Sequence, residues 1–259
     1  MSALLTLFDD GGFNPRSLFY AGEQGIWLDP ADFSTLFQDA AGTTPVTAVG
    51  QPVGKILDKS GRGNHATQST GASRPTLQQD SNGLYYLSFD GTDDGMATPS
   101  INFTGTDKMT VWAGVRKLSD AAAGMVCELS TTSTNNGSFY LAAPVTANAN
   151  YGFHSKGTNP QPAQTGNSFA SPHTSVTTGI GDISGDISSI RVNGTTITTS
   201  KLDQGTGNYG NYPLYIGRRG GTSLPFNGRI YQLIVRGAES NAGQIAAGEA
   251  WCNSKTRAY

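Results

Sequence analysis

Ile190-Arg191-Val192-Asn193-Gly194-Thr195-Thr196-Ile197 is the stretch on which the fold class turns. Asn-Gly supplies the two positive φ angles of a type I′ turn, whose twist matches that of two antiparallel strands. The β-branched residues beside it favour an extended chain. A hairpin over Ile187 to Thr199 follows, and with it an antiparallel sheet. Working outward, Tyr212 to Gly217 and Gly228 to Val235 read as further strands, with Tyr231, Leu233 and Val235 on one face of the second. Upstream, Met109, Val111, Ala113 and Val115 alternate with their neighbours, as do Tyr85, Leu87 and Phe89. Ile26-Trp27-Leu28, Gly54 to Asp58, Gly124 to Leu129 and Ser138 to Ala142 are shorter candidates. The polar stretch Thr146 to Thr178 reads as exposed loops with a strand or two. One helical turn is expected over Pro30 to Phe37, capped by Asp29. A closing helix is capped by Ser240 or Asn241, with Ile245, Ala246 and Ala250 or Trp251 at helical spacing.

The composition agrees with an all-β chain. Of 259 residues, 36% are apolar and only 14% charged, against ~25% charged in ordinary soluble domains. Gly, Ser, Thr and Asn fill the gap, which is turn and strand-surface chemistry. A net charge of −2 without any Lys/Arg run leaves phosphate neutralisation without a source, so no nucleic-acid partner is expected. No run approaches the ~18 apolar residues of a membrane helix. Met1 to Phe8 has no basic region and meets Asp9-Asp10 at once, so neither a signal peptide nor membrane insertion is expected. Cys127 and Cys252 are too few for a disulfide framework; two buried free thiols are the simpler reading, and one long-range bridge is the other.

Two segments are expected. Turn signals at Asp9-Asp10-Gly11-Gly12 and Asn14-Pro15 set residues 1–22 apart from a sandwich over residues 23–259. The apolar pieces Leu4 to Phe8 and Leu18 to Tyr20 are too short to make a core. They suit either a first strand or an arm that docks on a partner. The arm is the reading adopted, because its apolar residues would otherwise lie exposed.

Three segments carry a resemblance: Ile56 to Ala66 (ILDKSGRGNHA), Leu87 to Asp94 (LSFDGTDD), and Phe226 to Val235 (FNGRIYQLIV) followed by the closing helix. In this order they resemble the laminin G-like branch of the concanavalin A-like lectin/glucanase superfamily over roughly residues 25 to 256. The resemblance implies an all-β antiparallel jelly-roll sandwich with a short C-terminal helix. Gly22 to Pro30 and Ser34 to Val46 are similar to a narrower group, found in tailed-bacteriophage and prophage virion proteins. That similarity implies a structural component of the tail, baseplate or capsid exterior. It would be made in the host cytoplasm, homo-oligomeric, and attached to other virion proteins through its N-terminal arm.

Candidate sites follow from residue chemistry. Asp90, Asp93 and Asp94 crowd around Gly91. Three carboxylates at one turn suit calcium, which takes six to eight oxygen ligands, and relatives of this fold carry calcium on sandwich edges. The same residues also suit a tight turn whose aspartates accept backbone amides. Asp58 joins them only if its strand end lies nearby. No cofactor is required otherwise. His65, His154 and His173 are isolated, and Gly61 and Gly63 lack the lysine and helix of a phosphate loop, which leaves them as turn residues. Tyr209, Asn211 and Tyr212 are the candidate carbohydrate-binding residues, with Tyr140, Tyr151 and Phe153 as further stacking faces. For any single ring, core packing is the competing reading. Trp27, Trp112 and Trp251 are expected in the core.

Glycosidase chemistry needs two carboxyls flanking the bond. The glucanase branch places them as Glu-x-Asp-x-Glu on one strand. This chain has four glutamates, Glu23, Glu128, Glu239 and Glu249, and none lies in such a motif. The expectation is therefore a non-enzymatic virion protein that adheres to host-surface glycan through many weak contacts. The alternatives are a phage polysaccharide depolymerase, and a decoration module that binds no sugar.

Overall fold

The computed structural model describes residues 8–9, 12–159 and 163–259. Strands are numbered in chain order. β1 (Phe8–Asp9) and β2 (Gly12–Phe13) pair only with each other. Eight strands form one antiparallel sheet: β3 (Gly25–Leu28), β7 (Thr76–Gln79), β8 (Tyr85–Asp90), β10 (Lys108–Lys117), β15 (His173–Asp182), β16 (Ile187–Val192), β17 (Thr195–Ser200) and β19 (Asn227–Arg236). Their order is β17-β16-β15-β10-β19-β8-β7, with β3 pairing the last residues of β19. Nine strands form the second sheet: β4 (Leu36–Phe37), β5 (Lys55–Ile56), β6 (Ala66–Thr67), β9 (Met96–Asn102), β11 (Met125–Leu129), β12 (Phe139–Ala142), β13 (Asn150–Ser155), β14 (Ala163–Ser168) and β18 (Asn211–Ile216). They run β14-β13-β12-β11-β18-β9-β6-β5-β4. The expected all-β antiparallel jelly-roll sandwich is the observed fold.

Alternation along the strands builds the core between the sheets. Met109, Val111, Ala113 and Val115 face inward from β10, meeting Cys127 and Leu129 of β11 and Leu141 of β12 in one cluster. The hairpin forms as expected: Asn193 and Gly194 have φ of 51° and 76° between β16 and β17. In β19 the expected face is interrupted. Gly114 pairs with Gln232 and Val115 with Ile230, so Tyr231 is an extra residue at a β-bulge. Ile230, Leu233 and Val235 reach the core, whereas Tyr231 turns outward to Tyr86 at 5.1 Å between ring centroids.

A second, smaller core covers the back of the eight-stranded sheet. The helix α1 (Ala242–Thr256) lies there, and Trp112, Val176, Ile234 and Cys252 are buried with Trp27, Leu18 and Phe19. Asn241 caps α1 in a capping box with Gln244. The helix turns Gly248, Glu249, Cys252 and Thr256 inward and leaves Ala246 and Ala250 exposed, so its buried face departs from the expected one. Gly248 permits this: a Cβ there would sit 2.7 Å from Trp112 Nε1. Glu249 is tolerated because Arg191 of β16 meets its carboxylate at 2.6 Å.

Three expectations need correction. Thr146 to Thr178 contains three strands, and β15 lies at the centre of its sheet with Ser175, Thr177 and Thr178 fully buried. Thr178 pairs with Trp112 on the face that α1 covers, whereas Ser175 and Thr177 pair with the inward-facing Val115 and Ala113 and lie between the sheets, relations local periodicity does not carry. The helical turn near Pro30 is a 3-10 turn at Phe33–Thr35, capped by Asp32 rather than Asp29. Within the expected N-terminal arm, a 3-10 turn over Pro15–Phe19 buries Leu18 and Phe19 in the second core, so their apolar partner is this chain itself. The piece Leu4 to Leu7 lies outside the described residues. Cys127 and Cys252 are free and buried, as expected.

Candidate functional site

Pairing register defines what the nine-stranded sheet turns away from the core. Ile216, Cys127, Leu141 and Phe153 are paired across β18, β11, β12 and β13, and all four lie in the core. The neighbouring row, Tyr215, Glu128, Tyr140 and His154, therefore points to the outer face. It continues through Ala97 of β9 to Thr67 of β6. A groove of ≈ 320 Å³ opens on this face at the β6–β9–β18 end, lined by Thr67, Gln68, Ser69, Met96, Tyr215 and Gly221 among others. Among the described residues its walls offer one aromatic ring, one side-chain amide and three hydroxyls, and no charged side chain. Gln68 donates to the Gly95 carbonyl at 2.6 Å, which fixes the amide at the groove edge.

The loop after β18 forms one wall. Gly217, Gly220 and Gly221 take φ of 77°, 55° and 71°, which a glycine adopts without strain. Two adjacent arginines leave this loop in different directions. Arg218 donates to the Asp93 and Thr222 carbonyls. Arg219 Nε donates to Glu128 Oε2 at 2.7 Å, and its guanidinium lies 5.5 Å from the Tyr140 ring centre.

The aspartate turn borders the same groove, since Gly95 lines it next to Asp94. Asp90 accepts the amides of Thr92 and Asp93, Asp94 accepts the amide of Asp90, and Asp93 accepts the Ser73 hydroxyl at 2.7 Å. The Asx-turn reading therefore describes the local architecture. Each carboxylate still contributes one oxygen to a set whose members lie within 4.8 Å of one another. Burial, reinforced by the nearby charges of Asp90 and Asp93, pushes Asp94 up to about 6. Three crowded anionic oxygens fit a hard divalent cation, with the remaining ligands left to water. Asp58 is not part of this set: its carboxylate accepts Trp27 N, Ser60 N, the Ser60 hydroxyl and Asn64 N.

The sequence-derived sugar residues separate. Tyr209 is fully buried, hydrogen-bonded to Ser155 at 2.6 Å and edge-on to Phe139, so it presents no face to a ligand. It is buried because the chain before β18 passes between the sheets, where Gly181 leaves room for its hydroxyl. Asn211 is exposed on β18, paired with Asn102. Tyr212 is half-buried, its hydroxyl donating to the Asn136 carbonyl. Tyr151 and Phe153 are core, and Tyr140 remains on the outer face. Trp27 and Trp112 are buried and Trp251 packs beside them. His65 is structural, accepting the Asp58 amide through Nδ1. Tyr215, Gln68 and Arg219 escaped the sequence reading, and His154 was read there only as an isolated histidine. The readable signal was Glu128, a lone carboxylate in an apolar strand that needs a cation, with Arg218-Arg219 the nearest doublet downstream of β18.

Two antiparallel sheets with this strand order, bearing an uncharged aromatic groove on one face, define a lectin-like jelly roll. Residues 90–246 match the model of the concanavalin A-like lectin/glucanases superfamily. The chain belongs to that superfamily. No curated protein sequence matches it. Among solved structures, the binding domain of botulinum neurotoxin serotype D is similar at 11% identity and a TM-score of 0.55, covering 76% of this chain and 48% of the toxin chain. Botulinum neurotoxin type C, whose cell entry is described as dependent on two ganglioside molecules, gives 13% identity and 0.57 over 90% and 51%. Trypanosoma rangeli sialidase gives 13% and 0.58 over 90% and 33%. The chain thus spans about half the length of the toxin chains and a third of the sialidase. At these identities the likeness is one of fold.

Proposed function

We propose that this chain is a non-enzymatic virion protein of a tailed bacteriophage, which displays a lectin-like sandwich to adhere to host-surface glycan. The observation that carries the reading is the groove at Tyr215, where an aromatic ring stands beside the Gln68 amide and the Thr67 and Ser69 hydroxyls. A sugar ring offers an apolar face to the aromatic and hydroxyls to the polar groups. Ganglioside dependence in the type C toxin supports glycan recognition on this fold. The similarity of Gly22 to Pro30 and Ser34 to Val46 to phage virion proteins supports the setting, and display in many copies would turn weak contacts into firm attachment. Asp90, Asp93 and Asp94 would hold calcium and brace the groove through Gly95. Glu128, the one glutamate on the outer row, is fully buried against Arg219, which favours binding over general acid–base work.

Immunogold labelling of purified virions with antibody to residues 23–259 tests the setting, and adsorption tests the groove. Label at the tail or fibres, with Tyr215→Ala particles that assemble normally but adsorb about tenfold less, is the expected result. Capsid label with unchanged adsorption would replace adhesion by decoration. Release of reducing ends from host capsule would replace it by a depolymerase. Unlabelled particles would remove the virion setting.

A further inference from the structure

The back of the eight-stranded sheet is only partly covered by α1. Val115, Ile230, Leu87 and Leu77 are paired across β10, β19, β8 and β7, and all four lie in the core between the sheets. The next row, Thr174, Arg116, Arg229, Ser88 and Thr76, therefore points to the opposite face. It lies just past the end of α1, because Gly114, the preceding outward position on β10, is where Thr256 packs. In this row Arg116 and Arg229 stand directly opposite each other. Both are partly exposed, and neither makes an ion pair among the described residues. Like charges at opposed positions on neighbouring strands repel. Arg116 Nη1 donates to the Thr174 hydroxyl at 3.1 Å, and the Arg229 guanidinium lies 4.5 Å over the Tyr86 ring. These partners orient the two side chains but are neutral, so they balance neither charge. Two acids share the neighbourhood: Asp80, bonded to the Tyr231 hydroxyl, and Asp90, one row further on opposite Asn227. Their charge tempers the local field but puts no acceptor on either guanidinium.

We propose that Arg116 and Arg229, flanked by the Thr174 and Ser88 hydroxyls, form an anion site for a tetrahedral oxyanion of the phosphate or sulfate kind. The site lies on the opposite side of the sandwich from the groove at Tyr215 and stands independently of the adhesion reading. Opposed residues of an antiparallel pair have Cα atoms ~4.5–5.5 Å apart, so two guanidiniums can close on one anion. Each guanidinium fork engages two oxygens at once. A carboxylate has only two, which a single arginine satisfies. A phosphate or sulfate has more, enough for both forks and a neighbouring hydroxyl. The bound anion turns a repelling pair into a bridged one, and so stabilises the folded state. The sequence shows no basic run here, because the two arginines come from strands remote in the chain and only strand register brings them together.

The test is calorimetric titration and thermal unfolding of the full chain at pH 7.5 with sodium phosphate, sulfate and acetate at matched ionic strength. Phosphate and sulfate are expected to bind and to raise the melting temperature beyond acetate. Arg116→Gln and Arg229→Gln, checked for folding by circular dichroism, should each weaken phosphate binding at least tenfold. Arg229→Lys, which keeps the charge and loses the fork, should weaken it by a smaller factor. Tyr215→Ala should leave it unchanged, which separates this site from the groove. Titration with a hexose 6-phosphate identifies the source of the anion. Binding at least tenfold tighter than inorganic phosphate assigns a saccharide ester, equal binding assigns the free ion, and either upholds the site. An equal response to acetate, or phosphate binding that survives both glutamine variants, would overturn it.

Discussion

Asp94 is where one residue's environment has the clearest measurable consequence. Its carboxyl ordinarily titrates near 3.8, and burial beside Asp90 and Asp93 raises it to about 6. The fold therefore favours the protonated form. The stability this contributes is fully present below the ordinary value and is lost as pH rises through about 6. Wild-type protein is expected to lose melting temperature relative to Asp94→Asn as pH rises from 4.5 to 7.5 in thermal scans, the opposite contribution of His154, which burial holds down to about 4, being common to both. Calcium at pH 7.5 should restore the loss in wild type and do nothing for Asp94→Asn; an equal response in both would remove the cation from this turn. The residue scale also explains Tyr209. A tyrosine beside Gly210 and Asn211 has the composition of a surface loop, but composition does not tell which side of the sheet a ring enters. Ser155 and Phe139, far away in sequence, decide that.

At the scale of elements, α1 shows packing overruling propensity. Gly243 and Gly248 both weaken a helix read in isolation, each by about 1 kcal/mol relative to alanine. Gly248→Ala is nevertheless expected to destabilise the protein by about 1–3 kcal/mol, because the new Cβ would enter the Trp112 indole at 2.7 Å. Urea denaturation gives the sign directly, and a stabilised variant would show that the helix can lift off the sheet. The hairpin β16–β17 is the opposite case. Its turn chemistry lies wholly within Asn193-Gly194, so the sequence suffices to place it. In β19 the alternating pattern was legible, but the bulge was not, because an extra residue is defined only by the partner strand β10.

Across the whole molecule, Arg236 joins parts of the chain that are remote in sequence. It donates to the Leu18 carbonyl at 2.8 Å, to Glu23 at 2.6 Å, and to Glu239 O, Ser240 and Gln244 ahead of and within α1. The pair with Glu23 is mostly buried, so removing the cation leaves an uncompensated charge. Arg236→Met is expected to cost about 3 kcal/mol in urea unfolding and to speed limited proteolysis between residues 15 and 24. Unchanged proteolysis would mean that Leu18 and Phe19 hold the segment without the clasp.

The sequence by itself determined the antiparallel β class, the hairpin, the alternating strands β8 and β10, the capped terminal helix and the aspartate turn. Each depends on residues close together in the chain, through φ preference, alternation or side-chain capping. Only the tertiary structure decided that Thr- and Ser-rich β15 is central, that Leu18 and Phe19 dock on this chain, and that Tyr209 is core. It also assembled the outer row, bringing Thr67, Tyr215, Glu128, Tyr140 and His154 side by side from five strands. Strand order and register place them, and those depend on contacts between distant residues.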